Sequence, residues 1–311
     1  MKVILWLLLC LIWGTTWFFI KIGLQDLPPI SFAAVRFLLA LLILCPIIFL
    51  KKIPLPRGWR TWKLLMLTGG LQFSFNYSMV FWSEQYISSG LAAVLQATIP
   101  IFGLILAGIF LPAERITWIK AGAVLLGFSG VVIIFLEQMQ IKGFWGLAGC
   151  VGIVMGAYAA SQSVILVKKY AGGINPISLV FGQMLCGVVP LALYGLIKEG
   201  SPLEFNWSGQ AWLCVLYLAL FGTVITFWIF YWLLSRIESA KVMMSALLTP
   251  LIAVIVGAVF LGEKLPAQTI FGGVIILASI GLIVFKKTAS TPAETTALQT
   301  PTAAQPLESN I

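Results

Sequence analysis

The sequence predicts an all-α, polytopic membrane protein of ten transmembrane helices, arranged as two inverted five-helix repeats. Three observations lead there. The 311 residues are 60% hydrophobic and only 9% charged, against about a quarter charged in soluble chains. The apolar residues gather into runs of the roughly 20 residues that cross a bilayer. The chain also resembles itself at an offset of 150 residues.

The runs fall near 3–24, 30–50, 62–83, 88–111, 116–136, 143–167, 176–197, 211–234, 239–261 and 268–286. The first follows a single lysine. It is longer than the apolar stretch of a signal peptide and has no evident cleavage site, so it is expected to remain as a mature helix. The longest connections are 51–61, with Pro54, Pro56 and Gly58, and 198–210, with Pro202. Beyond Lys287 the segment TASTPAETTALQTPTAAQPLESNI is rich in Thr, Ala, Pro and Ser. It cannot build a core, and 288–311 is expected to be a disordered cytoplasmic tail.

The net charge of +9 does not point to nucleic acid, because the charges lie between apolar runs. Lys2, Lys51, Lys52, Arg57, Arg60, Lys63, Arg115, Lys120, Lys168, Lys169, Arg236, Lys241, Lys286 and Lys287 fall on one side of the ten spans. Lys21, Lys142, Lys198 and Lys264 fall on the other. Basic residues accumulate on the cytoplasmic side. A multi-pass protein of the bacterial inner (plasma) membrane with both termini cytoplasmic is therefore expected.

The repeat is clearest between FWSEQYISSGLAAVLQATIPIFGLILAGIFLPAER, from Phe81, and YWLLSRIESAKVMMSALLTPLIAVIVGAVFLGEK, from Tyr231. At offset 150, Trp82 meets Trp232, Ile87 meets Ile237 and Pro100 meets Pro250; one gap then aligns Glu114 with Glu263. Earlier, PPISFAAVRF from Pro28 resembles NPISLVFGQM from Asn175, which sets Arg36 against Gln183. Repeats are expected over 1–138 and 139–287. Five spans is an odd number, so the second repeat must enter the membrane from the opposite side. Such inverted repeats underlie alternating access, with the substrate site near the midplane.

Histidine is absent, and the five cysteines (Cys10, Cys45, Cys150, Cys186, Cys214) all lie in apolar runs. No disulfide framework, metal site or cofactor is expected. All ten acids lie outside the span cores, so no buried proton relay is visible and enzymatic chemistry is not expected.

Polar residues inside lipid face the bundle interior or a watery cavity. The candidate substrate-binding residues are Trp13, Trp17, Arg36, Gln72, Asn76, Gln96, Tyr158, Gln162, Thr226, Trp228 and Ser245. Gln72 and Asn76, like Tyr158 and Gln162, are four apart and share a helix face. Packing without ligand contact is the competing role for such residues. Arg36 is the charge lying well inside a span, about 9 Å along the axis from Ile30; it could bind a carboxylate, or else snorkel or pair with Glu84. Trp82 and Trp232 are read as belt residues at the membrane boundaries. Pro100 and Pro250, in mid-span, are candidate hinges. Ala148, Gly152, Gly156 and Ala160 form a small-residue packing stripe.

The stretch LIWGTTWFFIKIGLQDLPPISFAAVRFLLA, together with the LPAER and LGEK helix ends, resembles the EamA family of the drug/metabolite transporter superfamily over about residues 3–286. The resemblance implies a carrier whose cavity is walled by helices 1, 3, 4, 6, 8 and 9. It also implies export of amino acids or other small organic metabolites. Small multidrug transporters, distant relatives, couple protons through a glutamate in helix 1. The matching helix here has no acid, which implies facilitated transport or coupling through a boundary acid such as Glu84. A small-molecule substrate and the lipid bilayer are the expected partners, and a homodimer is left open. The competing classes are a channel, for which no filter-like motif appears, and a membrane-embedded lipid-modifying enzyme.

Overall fold

The structure is a computed structural model that describes residues 1–87, 89–114, 116–136, 139, 141, 143–261 and 267–284. The expected tail at 288–311 lies outside the described residues. So do Arg115, Lys142, Glu263, Lys264, Lys286 and Lys287. The described residues form helices and turns, with no strand among them.

The helices are α1 (Lys2–Gly23), α2 (Pro29–Leu50), α3 (Trp59–Gly69), α4 (Tyr77–Ser83), α5 (Ser89–Gln96), α6 (Ile99–Phe110) and α7 (Trp118–Ile134). Then come α8 (Gly143–Tyr170), α9 (Pro176–Glu199), α10 (Gly209–Ala219), α11 (Thr226–Leu234), α12 (Ser239–Met243), α13 (Ser245–Leu261) and α14 (Ala267–Val284). Among the described residues, seven stretches are long and apolar enough to cross a membrane: Lys2–Gly23, Pro29–Leu50, Leu91–Phe110, Gly143–Tyr170, Pro176–Glu199, Gly209–Leu234 and Ser239–Val256. Trp118–Ile134 and Ala267–Leu282 are apolar but shorter. Leu42, Ile109, Leu125, Val189 and Phe271 point outward, a surface suited to lipid rather than water.

Helix starts follow local chemistry. Pro28-Pro29 opens α2, where a proline's missing N–H is no loss. The Glu199 carboxylate then accepts from the Ile30 and Ser31 amides at 3.0 and 2.7 Å. Asn175-Pro176 opens α9, with the Asn175 side chain accepting from the Ile177 amide at 2.9 Å. At the other end of this pair, Ser178 Oγ donates to the Pro54 carbonyl at 2.7 Å. α2 and α9 thus pack along their length and are tied at both ends.

Two rods are interrupted by π-helical turns, Gly70–Asn76 between α3 and α4 and Leu220–Ile225 between α10 and α11. A π turn widens the helix and frees carbonyls. Their starts are 150 residues apart, the offset of the sequence repeat.

Packing relies on glycine where backbones touch. A Cβ on Gly69 would lie 2.1 Å from the Gln183 carbonyl oxygen, and one on Gly187 would lie 2.5 Å from that of Gly69. On α8 the small-residue face that meets α4 runs through Gly149, Gly152 and Gly156, against Ser83, Trp82 and Asn76. Ala148, expected in that stripe, is half-exposed instead and lines a groove between α4 and α8. A helix has 3.6 residues per turn, so a strict four-residue spacing drifts off the face.

Candidate functional site

A cavity of about 130 Å³ lies inside the bundle, walled by Trp13, Thr16, Trp17 and Ile20 of α1, Arg36 of α2, and Gln72 and Asn76 of the first π turn. Tyr77 and Val80 of α4, Gln96 of α5, Ile99 of α6, Phe227 of α11, and Ala246 and Thr249 of α13 complete it. Three pairs in this wall stand 150 residues apart: Tyr77 and Phe227, Gln96 and Ala246, Ile99 and Thr249.

The second π turn holds the charge in place. Arg36 Nη2 donates to the Gly222 carbonyl and Nε to Thr223 Oγ1, each at 2.9 Å. Thr223 Oγ1 in turn donates to the Leu218 carbonyl at 2.8 Å. The guanidinium lies 5.4 Å from the ring centroids of both Phe37 and Tyr77, within range of cation–π attraction. Arg36 is 2% exposed, and its Nη1 has no hydrogen-bond partner. Neither ion pair between described residues involves it. A buried charge without a counter-ion is expensive and makes the cavity electropositive.

Opposite in character is an amide pair. Gln96 Nε2 donates to Asn76 Oδ1 at 3.2 Å, leaving the buried Gln96 Oε1 without a donor. Two residues of the wall thus carry buried polar atoms without a hydrogen-bond partner, Arg36 Nη1 and Gln96 Oε1. Trp13 packs edge-on against Phe227 at 5.7 Å and tilted against Phe230 at 5.5 Å.

Of the residues singled out in the sequence, Trp13, Trp17, Arg36, Gln72, Asn76 and Gln96 meet at this cavity. Tyr158 is 48% exposed and packs edge-on against Phe102; Trp228 is 40% exposed. Gln162, Thr226 and Ser245 also lie off the wall, and Thr226 and Ser245 are buried. Tyr77, Phe227 and Ala246 were not among the candidates. Tyr77 and Phe227 read as plain aromatics, and only projection of the cavity face through the 150-residue offset would have flagged them.

The two prolines differ. Pro100 sits in the first turn of α6, after a break at Ala97–Thr98. There Ser161 Oγ donates to the Ile99 carbonyl at 3.0 Å. Pro250 lies inside the continuous α13, and the break in that rod falls at Met244. A proline in a first turn loses no hydrogen bond, so it marks a helix start rather than bending one.

Glu84 caps α4 just beyond Ser83, at the end of the bundle away from Lys2. Its Oε1 is buried without a hydrogen-bond partner. Burial pushes this carboxyl from near 4.5 up to about 7, with the Lys21 ammonium pulling the other way.

Comparison with known proteins agrees with this architecture. The EamA-like transporter family matches residues 1–136 and 147–285. An uncharacterised transporter of Archaeoglobus fulgidus is 30% identical over 289 residues, covering 91% of this chain and 99% of its own. The inner membrane transporter YedA of Escherichia coli is 30% identical over 279 residues, 88% of this chain and 87% of its own. A probable amino-acid metabolite efflux pump of Salmonella typhimurium is 28% identical over 291 residues, 90% of this chain and 93% of its own. A solved crystal structure superposes with a TM-score of 0.77 over 91% of this chain and 96% of its own; at 16% identity it bears on the fold alone. With both stretches matched by one family and full-length relatives at this identity, the chain is a multi-pass membrane protein that belongs to the EamA-like transporter family.

Proposed function

We propose that the protein is a secondary carrier that exports amino acids or related small metabolites by alternating access. In this reading ten helices form two inverted repeats, 1–138 and 139–287, with both termini in the cytoplasm. The observation that carries it is the cavity wall. Residues 150 apart line one cavity, whose largely apolar wall carries the polar groups of Arg36, Gln72, Asn76 and Gln96, as expected of a site between inverted repeats. The matching starts of the two π turns and the bias of basic residues to one side support the topology. The Salmonella relative's description as an amino-acid metabolite efflux pump supports the substrate class. Arg36 Nη1 is suited to a carboxylate and Gln96 Oε1 to an ammonium or amide donor.

Counterflow in proteoliposomes tests the proposal, using an isotope-labelled amino-acid mixture with and without an inward proton gradient. Exchange of a labelled solute supports the carrier, and dependence on the gradient assigns coupling. Flux far above carrier rates without counterflow would replace the carrier with a channel. Lipid turnover without solute movement would replace it with an enzyme.

A further inference from the structure

We propose that Glu114, Lys168 and Ser239 form an ionic latch that closes the Lys2 end of the bundle and must open in each transport cycle. The inference rests on the carrier reading above. Glu114 follows α6, and its Oε2 accepts from both the amide and the hydroxyl of Ser239 at the start of α12, at 2.8 and 2.5 Å. Its Oε1 lies 3.8 Å from Lys168 Nζ at the end of α8. Lys168 also donates to the Leu234 and Ile237 carbonyls at 2.5 and 2.8 Å, where α11 ends. A second pair, Lys120–Glu238 at 3.0 Å, lies beside it. Both ion pairs found between described residues therefore join a residue before position 138 to one after 139, and both sit at one end of the molecule.

Three features mark this junction as a gate rather than a permanent bolt. First, apolar side chains lie next to it. Met243 lies against Gly103, where a Cβ would come within 2.2 Å of its Cε, and Leu104, Val124 and Ala240 cluster beside it. Cavity residue Thr249 is roughly 15 Å along the rod from Ser239. Second, the α2–α9 pair already ties the repeats at both ends through Glu199 and Ser178. An axis that stays closed leaves the smaller junction of α12 with α6 and α8 as the contact that can part, while α6 and α8 remain packed together. Third, the latch lies at helix ends, where parting would hand each charge to water. A buried pair that can rehydrate is close to balanced between made and broken, which a two-state gate requires.

Two measurements test the latch. In the Glu114→Cys/Ser239→Cys double variant, a short bifunctional thiol cross-linker should stop counterflow at least tenfold, and cleaving it should restore the rate. Solute binding from the opposite face should persist, and the same reagent should leave wild type unaffected. Independently, Met243→Cys should react at least tenfold faster with a membrane-impermeant maleimide from the Lys2 side when Glu114→Gln is added. Unchanged counterflow in the cross-linked protein, or unchanged maleimide reactivity, overturns the latch. Absence of counterflow in wild type overturns the carrier reading, and the gate with it.

Discussion

Replacing Arg36 by Gln, the residue that the alignment of PPISFAAVRF with NPISLVFGQM sets against it at position 183, is the sharpest probe of the cavity. The guanidinium spends Nε on Thr223 and Nη2 on Gly222, and Nη1 is left buried without a hydrogen-bond partner. A substrate carboxylate would take a charge-assisted bond there. Losing it costs about 1.5–3 kcal/mol, which at about 1.4 kcal/mol per decade is a roughly 10- to 150-fold rise in apparent dissociation constant. The same change leaves the Gly222 carbonyl without its donor, at about 1–3 kcal/mol of stability. It also removes a buried charge that had no counter-ion, which offsets part of that. Thr223→Val takes away one Arg36 partner while keeping the charge, and so serves as the structural control. The assay is counterflow of a transported amino acid alongside competition by its carboxamide. Arg36→Gln should weaken the carboxylate 10-fold or more and leave the carboxamide within about twofold, while Thr223→Val should shift both alike. An equal effect of Arg36→Gln on carboxylate and carboxamide would refute the assignment of Nη1 as anion donor.

Glu84 should titrate near neutral pH. Because its folded value of about 7 lies above its ordinary 4.5, the folded state holds this proton where the unfolded chain has released it. The contribution to stability is fully present below 4.5 and is lost as pH rises through 7. Thermal unfolding in nanodiscs should show that slope in wild type and lose it in Glu84→Gln. If Glu84 also couples transport, the same variant should abolish dependence on an inward proton gradient. Gly69→Ala should lower melting temperature by several degrees, since its Cβ would collide with backbone of α9 and overpacking costs roughly 1–3 kcal/mol. Gln96→Leu should leave folding intact, because it breaks only the 3.2 Å bond to Asn76, yet reduce affinity for an amino acid about 5- to 10-fold by removing a neutral acceptor.

The bilayer made much of this protein legible from its sequence. Lipid makes the backbone satisfy its own hydrogen bonds, and a continuous apolar run of about 20 residues does so as a helix, so runs such as 3–24 and 176–197 appear as Lys2–Gly23 and Pro176–Glu199 within a few residues. The same rule made polar side chains conspicuous, and Arg36, Gln72, Asn76 and Gln96 stand together at the cavity. It could not separate cavity-facing polar groups from those that only satisfy neighbouring helices. Thr226 and Ser245 are as polar as Thr249, but helix rotation turns them away from the cavity. The π turns were hidden as well. They add a residue to a helical turn without changing its composition, yet one of them supplies the carbonyl and hydroxyl that fix Arg36. The latch of Glu114, Lys168 and Ser239 joins residues more than 50 positions apart in sequence, and no local pattern links them. Composition and periodicity therefore determined which segments enter the membrane and which residues are costly there. Only the packing of helix on helix decided which of those residues face the same space, because that depends on rotations and offsets that one-dimensional spacing does not contain.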